Sequence, residues 1–118
     1  MEKNQIDKIE KLIRNNNIQQ AEIELAKFGP GFFKNTEYLY LRSKIFFTNK
    51  LYYIAIDTLL IALEFEENDK VYNLLSTIYA TLGNNNLSKK IGNPDQRFEA
   101  ISLLKSELTG ISQKKNED

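Results

Sequence analysis

The chain has 118 residues, 16 Lys and Arg against 16 Asp and Glu, and no His, Cys or Trp. These counts leave room for one domain, exclude disulfides, thiol nucleophiles and imidazole bases, and remove the His and Cys ligands that zinc sites need. Zero net charge argues against nucleic acid or an anionic membrane as the main partner, while 42% apolar residues suffice for a core. A small domain so poor in catalytic groups is expected to work by binding.

The segment Met1 to Glu10 is charged throughout and lacks the apolar centre of a signal peptide. The longest mostly apolar stretch, Leu51 to Leu63, is interrupted by Asp57 and is too short to cross a bilayer. A cytoplasmic protein is expected.

Apolar residues recur in steps of three, four and seven along the chain, which predicts an all-α fold. Ile6, Ile9, Leu12 and Ile13 mark a first helix, which Asn15-Asn16-Asn17 ends. Asn17 with Gln20 caps a second helix carrying Ala21, Leu25 and Phe28, and Gly29-Pro30-Gly31 stops it. Asn35 or Thr36 caps a third, with Leu39 and Phe46, and Asn49-Lys50 turns the chain into a fourth, with Ala55, Leu59, Ala62 and Leu63. Asn68 precedes a fifth, with Leu75, Ile78, Tyr79 and Leu82, ending at Gly83 and Asn84-Asn85-Asn86. Asn93-Pro94-Asp95-Gln96 is a strong start signal, with Asn93 as cap, Pro94 as first helical residue and Gln96 reaching back. It opens a C-terminal helix through Phe98, Ile101, Leu104 and Leu108. The expected organisation is one domain over 1–110 and a polar tail over 111–118.

The helices also repeat. Ala21 and Ala55 are 34 residues apart, as are Leu25 and Leu59, Leu12 and Phe46, and Asn15 and Asn49. A helical hairpin at this period resembles the tetratricopeptide repeat. From Thr36, Leu39, Ser43 and Phe46 fit the first helix of that repeat, and Ala55, Leu59 and Ala62 the second; Arg42 departs from it. From Asp69, Tyr72, Leu75, Ser76, Tyr79 and Gly83 fit, but Gly92 and Pro94 cut the second helix short after Ser88. From Glu2, Leu12, Ala21 and Leu25 fit, whereas Lys8 and Ile9 stand where a Leu and a small residue belong. About two and a half tetratricopeptide-like hairpins and a C-terminal helix are expected. An unrelated helical bundle is the alternative.

The fourth helix is apolar nearly all round. Tyr53, Ile54, Ile61 and Phe65 flank its core positions, which predicts a helix that is either central or covered by a partner. The acidic run Glu64, Glu66, Glu67 and Asp69 lacks calcium-loop spacing and reads as a solvated helix end. Gly29-Pro30-Gly31 lacks the Lys-Ser/Thr of a phosphate loop, and the carboxylate pairs Glu22/Glu24 and Glu64/Glu67 lie on polar faces. No enzyme activity, cofactor or metal is expected.

Tyr72-Asn73-Leu74-Leu75 through Ile78-Tyr79-Ala80-Thr81-Leu82-Gly83, then Pro94-Asp95-Gln96-Arg97-Phe98 and Leu103-Leu104-Lys105, looks like the C-terminal half of a type III secretion needle chaperone. The likeness is to the larger, tetratricopeptide-like subunit of that complex. It implies a bacterial cytoplasmic chaperone that buries the amphipathic C-terminal helix of the needle subunit, beside a small helical co-chaperone, and so prevents premature polymerisation. The groove implied by the repeat is lined by Ile6, Ile13, Tyr40, Lys44, Phe47, Asn73 and Thr77, with Tyr53, Ile54, Ile61 and Phe65 as a second partner surface. Rival expectations are a chaperone for other secreted or translocator proteins, and a general tetratricopeptide scaffold.

Overall fold

The computed structural model describes residues 1–106, and these are all-α. The helices are α1 (Lys3–Arg14), α2 (Ile18–Ala26), α3 (Thr36–Thr48), α4 (Tyr52–Phe65), α5 (Asp69–Thr81) and α6 (Asn85–Gly92), followed by α7 over 97–106. A 3₁₀ turn, Pro30–Phe32, lies between α2 and α3. No described helix is long and apolar enough to cross a membrane. Leu108, Gly110 and the expected tail over 111–118 lie outside the described residues.

The chain divides into two compact units, one running to Leu74 and the other beginning at Leu75, with the division inside α5. In the first, α3 is the central element, packed against α1, α2 and α4. Its sequence suits that place. Tyr38, Leu39, Tyr40, Leu41, Ser43 and Ile45 are all buried, so α3 has no single apolar face. α1, at the edge, is amphipathic and buries Ile6, Ile9 and Ile13. The most extensive pairing is between α3 and α4. Ser43 and Ala55 are fully buried, and the Ser43 hydroxyl donates to the Ala55 carbonyl at 2.8 Å. A larger residue at either place would force the helices apart.

The second unit repeats the device. The Ser76 hydroxyl donates to the Ser88 carbonyl at 2.7 Å, and the Ser88 hydroxyl returns a bond to the Ser76 carbonyl at 2.7 Å. Gly92 continues the close approach, since a Cβ there would stand 3.4 Å from Ser76 Oγ. Ile78, Ile91, Ala100 and Ile101 supply the buried apolar surface.

The turns repeat as well. α1, α3 and α5 each end with a residue in the left-handed conformation, namely Asn16 (φ 61°), Lys50 (φ 63°) and Gly83 (φ 87°). The next amide closes a wide loop onto the helix in each case: Asn17 to the Leu12 carbonyl, Leu51 to Phe46 and Asn84 to Tyr79, at 2.8, 2.9 and 2.8 Å. This double hydrogen-bonded ending satisfies carbonyls that the helix leaves without partners. Because the same turn recurs after 34 and then 33 residues, the sequence period is a period of backbone geometry.

The caps are partly as expected. Asn35 Oδ1 accepts the Tyr38 amide at 3.0 Å, and Asn84 Oδ1 accepts that of Leu87 at 3.2 Å. Asn17 caps α2 by position, without a side-chain bond. Phe28 falls beyond α2, and its ring meets that of Phe32 edge-on at 5.1 Å. Pro94 is not the first helical residue. Asn93 Oδ1 accepts the Asp95 amide at 2.9 Å, which folds 94–96 into a turn and delays the helix to residue 97.

Left-handed backbone is easy for glycine and strained for other L-residues. Lys50→Gly is therefore expected to raise stability in urea unfolding by about 1 kcal/mol, and Gly83→Ala to lower it by about the same amount. Ser43→Leu, which overfills the α3–α4 contact, is expected to cost about 3 kcal/mol.

Candidate functional site

Four surfaces of the first unit could meet a ligand. One is the side of α3 that holds Tyr40. Lys44 Nζ and Lys70 Nζ stand over the Tyr40 ring at 5.6 and 5.7 Å from its centre. Lys70 Nζ also lies 3.6 Å from Glu10 Oε1 and 4.0 Å from Glu37 Oε2. Glu37 Oε2 is buried and accepts no hydrogen bond among the described residues, so its compensation is the Lys70 charge. Burial pushes the Tyr40 hydroxyl up to about 12, and the Glu10 and Glu37 carboxylates add to the shift.

That arrangement changes the reading of the expected groove. Ile6, Ile13 and Tyr40 are buried, because α1 packs against α3 and draws these side chains into the core. They are not presented to a ligand as the repeat pattern implied. Lys44 and Phe47 are half-buried, and the Phe47 ring rests 5.7 Å from that of Tyr52. Asn73 and Thr77 are exposed on α5, Asn73 in the first unit and Thr77 in the second. What remains accessible near Tyr40 is ionic rather than apolar.

Another surface is a cleft of about 210 Å³ between α2 and α3, floored by Leu25 and Ile45 and walled by Tyr38 and Phe46. Arg42 stands at its edge. Its guanidinium lies 5.4 Å from the centre of the Phe46 ring, and Nη1 donates to the Tyr38 hydroxyl at 3.4 Å. Arg42 is the residue that breaks the repeat pattern. The structure explains the departure, since this position is exposed and the guanidinium is held by aromatic neighbours. The volume is below the usual range for small-molecule pockets and is nearer to one side chain. A further cleft of about 370 Å³ is lined by Ile9, Phe28 and Phe32, with Glu24 on its border. Glu24 lies 2.9 Å from Lys27 and 3.4 Å from Lys8, and its hydrogen bond from Lys27 is the main reason its carboxyl is held below the ordinary range. No group of carboxylates among the described residues could hold a metal ion.

The outer face of α4 is of a different kind. Ala55, Ile56, Thr58, Leu59, Leu60 and Ala62 are buried, while Tyr53, Ile54, Ile61 and Phe65 are exposed, at 74, 50, 50 and 47%. Leu51, just before the helix, extends this row. The spacing from 54 to 61 to 65 places these side chains along one side of the helix. Asp57 is exposed on the same side, between Tyr53 and Ile61. Thr58 turns its hydroxyl back to the Ile54 carbonyl at 2.8 Å and so offers no polar atom outward. Sequence reasoning identified the apolar excess of this helix. It missed the ion pairs of Lys70 and the cleft beside Arg42, for which the broken repeat pattern at Arg42 was the available signal.

Tyr40 yields a pH dependence. In the unfolded chain its hydroxyl ionises near 10, and in the folded protein near 12. Folding therefore favours the neutral form, so Tyr40 adds stability that is intact below pH 10 and is lost as pH rises from 10 to about 12. Urea midpoints measured across that window should fall more steeply for the native protein than for Tyr40→Phe.

Comparison with protein-family models, with curated proteins and with solved structures finds no match to this chain.

Proposed function

We propose that this protein is a binding module that covers an amphipathic helix of another protein, and that it acts as a chaperone of a self-assembling secretion subunit. The observation that carries the reading is the row of large apolar side chains left exposed on α4. A helix lies along such a row when its own apolar residues recur every three or four positions, and covering each of these half-exposed side chains favours the complex by about 1 kcal/mol before the cost of association. An assembling subunit whose apolar face is occupied in this way cannot join its own polymer.

The likeness of residues 72–83 and 94–105 to type III secretion needle chaperones makes the needle subunit the specific partner, held in the bacterial cytoplasm with a small helical co-chaperone. The recurring turn and the paired Ser-to-carbonyl contacts support a tetratricopeptide-like architecture for the proposal. The reading has no catalytic step and needs no cofactor. A second reading, a general helical-hairpin scaffold or a chaperone for other secreted or translocator proteins, is favoured by the ionic character of the Tyr40 surface, where apolar side chains were expected to line half of the groove.

Co-expression with a needle subunit and a small helical co-chaperone tests the proposal. A soluble complex that keeps the needle subunit monomeric is expected. Ile61→Asp, an exposed change expected to alter folding stability by less than about 0.5 kcal/mol, should release the partner. Polymerisation of the needle subunit despite abundant chaperone would exclude the needle-specific reading. A complex indifferent to Ile61→Asp would exclude the α4 face.

A further inference from the structure

We infer that the helix docked on α4 carries a Lys or Arg within its apolar seam, set against Asp57, and further basic residues toward the end of α4. This rests on the reading of the α4 face as the binding surface and adds the chemistry of its occupant.

Asp57 is the reason. It follows Tyr53 by four residues and precedes Ile61 by four, and it is exposed among them. An apolar helix laid on Ile54, Ile61 and Phe65 would take this carboxylate out of water with nothing to offset the loss of hydration. Such a group is tolerated in an interface only when the partner supplies a cation at hydrogen-bonding distance. At the end of α4 and just beyond it, Glu64, Glu66, Glu67 and Asp69 are exposed as well, against Lys50 at the start and Lys70, which is engaged by Glu10 and Glu37. Carboxylates therefore outnumber cations along the α4 segment that carries the apolar row, and the complement of that segment is basic.

The same residue argues against the other occupants. In a two-fold pairing of α4 with a second copy, the same patch meets itself. Asp57 lies close to the middle of Tyr52–Phe65, so an antiparallel pair brings the two carboxylates near the axis, and a parallel pair sets them side by side. Either arrangement buries like charges together. An anionic lipid surface is disfavoured for the same cause, because helices that lie on membranes carry Lys and Arg on their polar side. A partner helix of about 12–18 residues is long enough, since the row from Tyr53 to Phe65 extends about 18 Å along the axis.

The test uses the full chain and two designed peptides of about 18 residues. Both have the same leucine face and are stapled on the outer side so that their helicity is equal. One carries Lys at the seam and at one end; the other carries Glu at those positions. Calorimetry should find the Lys peptide bound about tenfold or more tighter at low salt, with the preference shrinking as salt is raised. Asp57→Lys should reverse the preference, Asp57→Asn should erase most of it, and Ile61→Asp should abolish binding of both peptides. Equal binding of the two peptides, a preference unchanged by Asp57→Lys, or no binding of either overturns the inference. So does a dimer of the native chain that Ile61→Asp dissociates. A co-expressed complex that needs Ile61 while the peptides show no charge preference would remove this inference and leave the proposed function standing. A co-expressed complex indifferent to Ile61→Asp would remove both.

Discussion

The hydrogen bond from the Ser43 hydroxyl to the Ala55 carbonyl ties α3 directly to the backbone of α4 at a fully buried contact. A small polar residue and a small apolar one are needed there together. Ser43 is short enough to admit the facing helix, and its hydroxyl, fully buried, finds an acceptor that the helix backbone already offers. Once that contact is made, the side chains on either side of it are fixed. Leu39 and Ile45 of α3 and Leu59 and Ala62 of α4 are held in the core, and the remaining side of α4 points away. The exposed row on α4 is thus a consequence of a tight helix pair, in which one helix has more apolar surface than its neighbours can cover.

Much of this was legible in the sequence because hairpin packing writes itself in residue size. Small residues at Ser43, Ala55, Ser76 and Ser88 and the alternation of large residues between them gave the helices, their order and the period. Two kinds of feature were not legible. One is backbone conformation. Asn16 and Gly83 belong to residue types that favour the left-handed region, but Lys50 does not, and only the repeated hydrogen-bond pattern reveals that it plays the same part. The other is coverage. The repeat pattern gives the direction in which Ile6, Ile13 and Tyr40 leave their helices. It does not say that α1 packs against α3 and buries them.

Electrostatics distinguish two surfaces of the first unit. Near Tyr40, Lys70 compensates Glu10 and Glu37, and the charges are internally matched. On α4, exposed Asp57 interrupts the apolar row. The sequence showed Asp57 only as a break in an apolar stretch. In three dimensions it becomes the polar mark within an otherwise apolar face, and such a mark can select one occupant over others.

The exposure of Tyr53 has an optical consequence. With no Trp and six Tyr in the chain, ultraviolet emission is dominated by tyrosine. Tyr53 is the most exposed of the large apolar and aromatic side chains described, and it stands at one end of the row that a partner would cover. A tryptophan-free partner therefore changes the solvent around a native fluorophore when it docks, and the chain carries its own reporter of occupancy at the surface in question.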